Sequence, residues 1–281
     1  MTGKLSHIRL VLLTLFALLA FAGNSLLCRA ALAHTQIDAA SFTSIRLVSG
    51  AVVLWALVVL RRSEYSGRGN WLSALALFVY AAGFSFAYIQ LNTGIGALIL
   101  FGAVQTSMIA YGLWRGERFS LLQWLGLLLA CSGLIGLLLP GLSAPPLLGA
   151  LLMLAAGVAW GVYSLRGKGA GDPLAVTSGN FIRAVPMALL LSVLLIKQAS
   201  LDSAGVGYAL LSGVLTSGIG YAIWYTALPL LKATTAATVQ LSVPVLAALG
   251  GVLLLQEPLT LRLLLASLAI LGGIALVVLA A

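Results

Sequence analysis

Aromatic and polar side chains recur at helical spacing in this otherwise apolar chain, and their chemistry suits the binding of a small solute. Tyr80, Phe84 and Tyr88 are four residues apart, so on an α-helix they share one face. Tyr221 and Trp224 share a face on a later segment. Aromatic rings pack against flat or apolar groups, while amide and hydroxyl groups meet amino and carboxylate groups. The sequence therefore predicts an amphipathic binding cavity.

The candidate substrate-binding residues are aromatic, amide or basic, and all of them lie within apolar runs. They are Asn24, Tyr80, Phe84, Tyr88, Gln105, Trp160, Tyr163, Asn180, Arg183, Tyr221, Trp224 and Gln240. Each has a structural alternative. Tyrosine near the end of a membrane span usually anchors the helix at the lipid surface, which applies to Tyr88. Amide side chains within spans often link neighbouring helices, which applies to Asn24, Gln105 and Gln240.

Two arginines lie within apolar runs. Arg183 is about nine residues into its run, where a guanidinium needs acceptors or water. Its acceptor is either the carboxylate of a substrate or the backbone carbonyls and polar side chains of the protein. Arg46 is less deep, so we expect its side chain to extend toward the membrane surface.

Titratable groups that could carry protons are confined to loops and to the ends of the apolar runs. This holds for both histidines, His7 and His34, and for every acidic residue: Asp38, Glu64, Glu117, Asp172, Asp202 and Glu257. A proton-driven exporter generally needs a carboxylate or histidine deep in the membrane. In a transporter, this pattern predicts facilitated transport without proton exchange through a membrane carboxylate.

The amino-acid composition indicates that this chain lies in a membrane. Hydrophobic residues make up 62% and charged residues 7% of its 281 residues, which is typical of a polytopic membrane protein in a lipid bilayer. The net charge of +9 comes from basic residues in short loops, so no nucleic-acid partner is expected. Cys28 and Cys131 lie in apolar runs as small hydrophobic residues, and we expect no metal or other cofactor. The sequence shows no catalytic triad, phosphate-binding loop or channel filter, so an enzyme or a channel is not expected.

Ten apolar segments are each close to the ~20 residues that cross a membrane as a helix. We predict spans at Ile8 to Ala31, Ala39 to Leu60, Trp71 to Leu91, Gly94 to Leu113, Leu121 to Leu139, Leu147 to Leu165, Leu174 to Ile196, Gly207 to Leu228, Ala233 to Gln256 and Leu259 to Ala280. The first segment also has features of a cleavable signal sequence, with Lys4 and Arg9 before it. Its apolar run is longer than a usual signal core, so it is kept as a span.

Basic residues predict the orientation in the membrane, because they are enriched on the cytoplasmic side. With a cytoplasmic N-terminus, the inner ends and loops hold Lys4, Arg9, Arg61, Arg62, Arg68, Arg115, Arg118, Arg166, Lys168 and Lys232. The outer ones hold Arg29, Lys197 and Arg262. Both termini are therefore expected in the cytoplasm.

The chain repeats itself at an offset of 140 residues, which aligns Glu117 with Glu257 and Ser120 with Thr260. We therefore expect two domains, residues 1–140 and 141–281, of five helices each. Because five is odd, the halves must insert upside down relative to one another, which places a site at the midplane and permits alternating access. One chain suffices for such a site, so a monomer is possible. Pro186 and Pro244 are candidate hinges, or else static kinks.

Each half ends in an E-x-x-[ST] cap with a glycine-containing helix, and the second half contains SVPVLAALGGVLLLQEPLT at Ser242 to Thr260. In these features the two halves resemble the EamA domains of the drug/metabolite transporter superfamily. The resemblance covers almost the whole chain, although Val104 stands where the second half has Pro244. Length and aromatic content are most similar to bacterial YddG-type aromatic amino-acid exporters.

This resemblance implies an all-α fold of ten transmembrane helices around a central cavity. It also implies export of amino acids or related metabolites across the bacterial inner membrane. The alternative is another cargo of this superfamily, such as a nucleotide-linked sugar or a drug-like cation. One deep arginine and no deep acid suit a zwitterion better than either.

Overall fold

Membrane-crossing helices make up nearly all of the structure, a computed structural model that describes residues 7–61, 69–116, 118–141, 144–167, 171–231 and 239–280. In chain order the helices are α1 His7–His34, α2 Ala39–Leu60, α3 Trp71–Tyr88, α4 Thr93–Trp114, α5 Leu121–Leu138, α6 Leu147–Gly167, α7 Pro173–Leu194, α8 Ser203–Ala227, α9 Ser242–Leu255 and α10 Leu261–Leu279. No strand occurs among these described residues. The predicted all-α membrane fold is confirmed.

Nine of the described helices are long and apolar enough to cross a membrane, and α9, with 14 residues, is the shorter one. The predicted ninth span began at Ala233, but residues 232–238 lie outside the described part of the chain. The other predicted spans agree with the observed helices to within a few residues at each end. Many outward-facing side chains are large and apolar, such as Trp114 at 81% exposure, as expected for helices in lipid.

Polar residues at the predicted helix ends act as caps. The Asp38 carboxylate accepts hydrogen bonds from the Ala40 and Ser41 amides at the start of α2. Burial opposes ionisation of Asp38, but hydrogen bonds from Ser41, Ser200 and Ala40 outweigh it, so the pKa of this carboxyl lies below its usual value. Asp172 and Asp202 occupy the same position before α7 and α8, but their side chains make no capping hydrogen bond there.

The acidic residues and histidines that the structure describes lie where the sequence predicted them. The described acidic residues all lie outside the membrane-crossing helices, and His7 and His34 are the first and last residues of α1. Several predicted loop residues lie outside the described ranges, namely Lys4, Arg62, Glu64, Arg68, Glu117, Lys168 and Lys232.

Helix pairing reveals an approximate two-fold relation between the halves. α2 packs against α7, and α5 packs against α10. α3 and α4 of the first half both pack against α6, the first helix of the second half. In the same way, α8 and α9 of the second half both pack against α1, the first helix of the first half. Exchanging α1 to α5 for α6 to α10 therefore leaves these pairs unchanged, as expected for inverted five-helix repeats. The division at residues 140 and 141 stays a prediction.

The N-terminal caps of α5 and α10 support the same correspondence between the halves. Ser120 accepts a hydrogen bond from the Gln123 amide at the start of α5. Thr260 accepts one from the Leu263 amide at the start of α10. These are the serine and threonine of the repeated motif, so each copy begins its last helix with the same device.

A helical irregularity also occurs away from the two prolines that were predicted as hinges. Pro186 does lie inside α7. Pro244, expected well inside a span, instead lies in the first turn of α9, where its missing N–H breaks no helical hydrogen bond. α8 contains a π-helical segment, Ser212–Ile219, without any proline. The hinge role of the two prolines stays a prediction.

The contact between α5 and α10 gives a first testable prediction. A Cβ atom on Gly273 would lie 2.6 Å from the Ala130 amide nitrogen and closer still to the Gly126 carbonyl oxygen, whereas one on Gly272 would meet nothing within 4 Å. We expect Gly273→Ala to destabilise the protein by about 1–3 kcal/mol through overpacking. Gly272→Ala should leave stability unchanged or slightly raised, because alanine favours helix.

Thermal unfolding of the two purified variants in detergent measures this difference. Equal melting temperatures for Gly272→Ala and Gly273→Ala would contradict the close backbone contact between α5 and α10.

Candidate substrate cavity

A cavity of about 570 Å³ lies between α1, α3, α4, α6 and α8. Its described wall consists of Phe21, Asn24, Ser25, Tyr80, Phe84, Leu100, Phe101, Val104, Gln105, Met108, Trp160, Ser164, Gly167, Pro173, Tyr221, Trp224, Tyr225, Leu228, Leu231 and Gln240. Both halves of the chain contribute to this wall. Most of the wall is aromatic or aliphatic, with amide and hydroxyl groups interspersed.

Most of the residues predicted from sequence meet in this wall. The structure brings together Asn24, Tyr80, Phe84, Gln105, Trp160, Tyr221, Trp224 and Gln240. They come from five different helices and from the residues just before α9. The structure shows that these residues line one cavity, whereas their role in binding substrate stays a prediction.

Four other predicted residues lie outside the wall. Tyr88 is fully buried, donates a hydrogen bond to the Thr93 carbonyl at 3.3 Å and packs edge-on against Phe84. Tyr163 stacks on the Trp160 ring at a centroid distance of 5.3 Å. The other two contact the backbone: the Asn180 side-chain oxygen accepts a bond from the Asn70 amide, and Arg183 donates one to the Gly179 carbonyl.

The aromatic part of the wall is a connected group of rings from α1, α3, α6 and α8. Trp160 is central to it, with ring centroids 4.7 Å from Tyr80 and 5.2 Å from Tyr221. Phe21 packs edge-on against Tyr221 and Trp224 at 5.9 and 5.7 Å. Such tilted and edge-on pairs are the favoured aromatic geometries, so the rings hold one another in place.

The polar part of the wall centres on Asn24 of α1. Its side-chain oxygen accepts hydrogen bonds from the Ser212 hydroxyl at 2.7 Å and the Thr216 hydroxyl at 3.1 Å. Its side-chain nitrogen donates to the Tyr80 hydroxyl at 3.3 Å. Because Ser212 and Thr216 belong to the π-helical segment, Asn24 ties that segment to α3.

Arg46 is the residue that sequence reasoning placed wrongly. The expectation that its side chain extends toward the membrane surface is contradicted, since only 1% of Arg46 is exposed. It donates hydrogen bonds to the Tyr80 and Ser217 hydroxyls, both at 3.2 Å. Its guanidinium carbon lies 5.0 Å from the centre of the Phe84 ring. These hydroxyls and rings on α3 and α8 contact the guanidinium in place of the water at the membrane surface.

A signal for the depth of Arg46 was present in the sequence. Asp38 caps α2 and Asp172 precedes α7, and Arg46 stands as far beyond the first as Asn180 stands beyond the second. Asn180 is also buried. Equivalent positions of the two halves therefore both place a polar side chain in the interior.

An ion pair lies at the closed end of the cavity, where Arg29 is one helical turn beyond the wall residue Ser25. The Arg29 guanidinium of α1 lies 3.2 Å from the Glu257 carboxylate, which follows α9. Glu257 also accepts a bond from the Thr93 amide at 2.8 Å, at the start of α4. Arg29 donates to the Tyr88 carbonyl at 2.9 Å, at the end of α3. The ends of four helices thus meet at one pair of charges, which sequence reasoning did not anticipate.

The opposite end of the cavity is open in the described part of the chain. Gly167 at the end of α6 and Pro173 at the start of α7 are exposed and also belong to the wall. Ser25 and Phe84, toward the Arg29 end, are each 1% exposed. Among the described residues, the cavity is therefore accessible at the end where α6 finishes and α7 begins.

Comparison with known proteins connects this architecture to transport. Residues 147–279 match the EamA-like transporter family. The chain is 30% identical over 236 residues to the threonine/homoserine exporter RhtA of Escherichia coli, a match that covers 80% of this chain and 76% of RhtA. The chain belongs to the EamA-like transporter family. It is also 62% identical over 270 residues to an uncharacterized protein of Pseudomonas aeruginosa, covering 96% and 94% of the two chains.

The fold of this EamA-like transporter is shared with solved structures. One crystal structure of a protein aligns with a TM-score of 0.69 at 18% identity and covers 98% of each chain. At that identity the likeness concerns the fold alone. Family membership confirms the resemblance to the drug/metabolite transporter superfamily and the architecture of ten helices in inverted repeats.

Proposed function

We propose that this EamA-like transporter exports neutral amino acids and related small metabolites by alternating access. The observation that carries this proposal is the amphipathic cavity, which is built from both halves, open at one end and closed at the other, where Arg29 and Glu257 form an ion pair. Rocking of one half against the other would break that closure and seal the open end. The relative RhtA, a threonine/homoserine exporter, supports the cargo class.

The chemistry of the wall favours a zwitterion. The described wall residues include no acidic or basic side chain, and its amides come from Asn24, Gln105 and Gln240. A cation would call for a carboxylate there, and a nucleotide-linked sugar for several basic groups. The cavity volume lies within the usual range for small-molecule sites. The aromatic rings suit aromatic side chains, as in YddG-type exporters, while the amides suit smaller polar ones.

The proposed orientation makes the open end cytoplasmic. With both termini in the cytoplasm of a bacterial inner membrane, the loop between α6 and α7 lies inside. The structure then corresponds to the state that takes up cargo for export. Because the described acidic residues lie outside the helices, transport is proposed to follow the cargo gradient without proton exchange.

Transport by purified protein in liposomes tests the proposal. The assay measures uptake of a labelled panel that includes threonine, homoserine and phenylalanine, without an imposed pH gradient. Trp160→Ala should lower uptake at subsaturating substrate by about tenfold, because the variant loses the ring that joins Tyr80 to Tyr221. Trp55→Ala is the matched control, since Trp55 is 55% exposed on α2 and should leave uptake unchanged.

Two results would count against the proposal. Absence of uptake for every amino acid of the panel would remove the cargo assignment. Uptake that occurs only with an imposed proton gradient would contradict the proposed facilitated mechanism while leaving the cargo in place.

A further inference from the structure

Arg46 carries a positive charge without an acidic partner in the described structure. The ion pairs there are Arg29 with Glu257 and Arg61 with Asp172. The remaining described acids serve the backbone, as Asp38 does at the start of α2 and Asp202 does by accepting a bond from the Gln36 amide. An unpaired charge in a protein interior is unfavourable unless another group compensates it. The group that compensates the charge of Arg46 is therefore relevant to function.

The hydrogen bonding of Arg46 is also incomplete. Its Nε and Nη2 atoms donate to Ser217 and Tyr80, but the buried Nη1 atom has no hydrogen-bond partner among the described residues. The Tyr80 and Phe84 rings contribute cation–π contacts at 5.3 and 5.0 Å, which do not neutralise the charge. Among the described residues, the site therefore has no negatively charged acceptor.

Tyr80 connects this charge to the cavity. Its ring belongs to the cavity wall, and its hydroxyl oxygen accepts hydrogen bonds from both Arg46 and Asn24. The Asn24 amide is oriented for this donation because Ser212 and Thr216 donate to its oxygen. With both lone pairs of the hydroxyl engaged, its own hydrogen is left to donate. Two donors that polarise one hydroxyl make it a stronger donor.

We propose that Tyr80 and Arg46 form a carboxylate subsite at the closed end of the cavity. The carboxylate of the cargo accepts a hydrogen bond from the Tyr80 hydroxyl, and Arg46 behind it supplies the positive charge. Arg46 is thus a positioning residue that acts through Tyr80. The assignment of the bound group to an amino acid rests on the proposed function. Arg183, the basic candidate from sequence, lies outside the wall and has no part in this subsite.

Selectivity between a carboxylate and its carboxamide tests the subsite. Binding is followed by the fluorescence of the wall tryptophans, Trp160 and Trp224, in purified protein in detergent. The ligands are L-threonine, L-phenylalanine and their carboxamides, together with phenylacetate as a simple carboxylate. We expect the wild type to bind each amino acid at least about tenfold more tightly than its carboxamide, as for other hydrogen bonds to charged groups.

Three variants separate a binding role from a structural one. Arg46→Gln and Tyr80→Phe should bring the carboxylate-to-carboxamide preference close to one. Arg115→Gln removes a charge that is exposed just after α4 and should keep the wild-type preference. A purely structural Arg46 would change overall affinity and leave the preference intact. Should Arg46→Gln fail to fold, Tyr80→Phe decides the question, because it keeps the ring and removes only the hydroxyl.

The outcomes distinguish this inference from the proposed function. A wild-type preference that persists in the Arg46 and Tyr80 variants overturns the subsite, even if amino acids are transported. Binding of phenylacetate that is lost in both variants supports the subsite, even if no amino acid of the panel is transported. Failure of the wild type to bind any carboxylate of this set overturns the subsite outright.

Discussion

Glu257→Gln should make Cys28 react about 10 to 100 times faster with a membrane-impermeant maleimide applied from the closed end of the cavity. Cys28 lies on α1 between the wall residue Ser25 and the ion-paired Arg29, and it is fully buried. The glutamine keeps the shape of the side chain and an acceptor for the Thr93 amide, but it removes the charge that holds Arg29. The closed end should therefore open more often.

The size of this effect follows from the burial of the pair. The Arg29 and Glu257 side chains are 16% and 10% exposed, so the interaction is largely shielded from solvent. Removing one partner of a fully buried pair costs about 3–5 kcal/mol, because the other charge remains buried. This partly exposed pair should cost less, about 1.4–2.8 kcal/mol, which corresponds to a factor of about 10 to 100. An exposed pair contributes at most about 1 kcal/mol. More frequent opening of the closed end would shift the protein away from the state that takes up cargo, so net export should also be weaker.

The labelling experiment has a matched control. The chain has two cysteines, so Cys131→Ser leaves Cys28 as the single thiol in every variant. Arg61→Gln breaks the other ion pair, with Asp172 at 3.8 Å, in which Arg61 is 62% exposed. That variant should leave the labelling rate of Cys28 unchanged. Equal rates in Glu257→Gln and wild type would show that the ion pair does not control the closed end.

Asn24→Leu is expected to lower transport by at least about tenfold and the free energy of unfolding by about 1–3 kcal/mol. Leucine has a similar size but cannot accept the hydrogen bonds of Ser212 and Thr216 or donate to Tyr80. Removal of the central partner leaves several buried polar groups incompletely satisfied. Uptake into liposomes and thermal unfolding in detergent measure the two effects.

Two threonines of α8 provide the control for Asn24. The Thr216 and Thr226 hydroxyls each lie 2.8 Å from the carbonyl oxygen one turn earlier, and Thr216 shares its single hydrogen between that carbonyl and the Asn24 side-chain oxygen. Thr216→Val should therefore reproduce part of the Asn24→Leu effect, while Thr226→Val should have little effect. Similar transport by both valine variants, with Asn24→Leu also fully active, would show that this network is not needed for transport.

Most of the fold was predictable from sequence because it depends on local properties. The length of the apolar runs, the Asp38 cap and the repeated Ser120 and Thr260 caps specify where helices begin and end. The ninth span is the exception. Its second part is the described helix Ser242–Leu255, whereas its predicted start at Ala233 lies outside the described residues.

The cavity was predictable in part. Rings such as Tyr80 and Trp224 converge because a helical period places them on inward faces. The pairings of Arg46 with Ser217 and of Arg29 with Glu257 join residues that are far apart in the chain. No helical period predicts such pairs, since they depend on which helices become neighbours. The position of Arg46 within its apolar run also gave a wrong prediction of its exposure, because neighbouring helices decide whether a long side chain can reach water.

The π-helical segment of α8 has a consequence for how the wall can move. Its backbone hydrogen bonds span five residues instead of four, so the helix is locally underwound between Ser212 and Ile219. Tightening this segment to ordinary α geometry would twist the remainder of α8 about its own axis. Tyr221 and Trp224 lie in that remainder and would rotate with it. Torsion of one helix would therefore change which aromatic side chains face the cavity, without any bend at a proline.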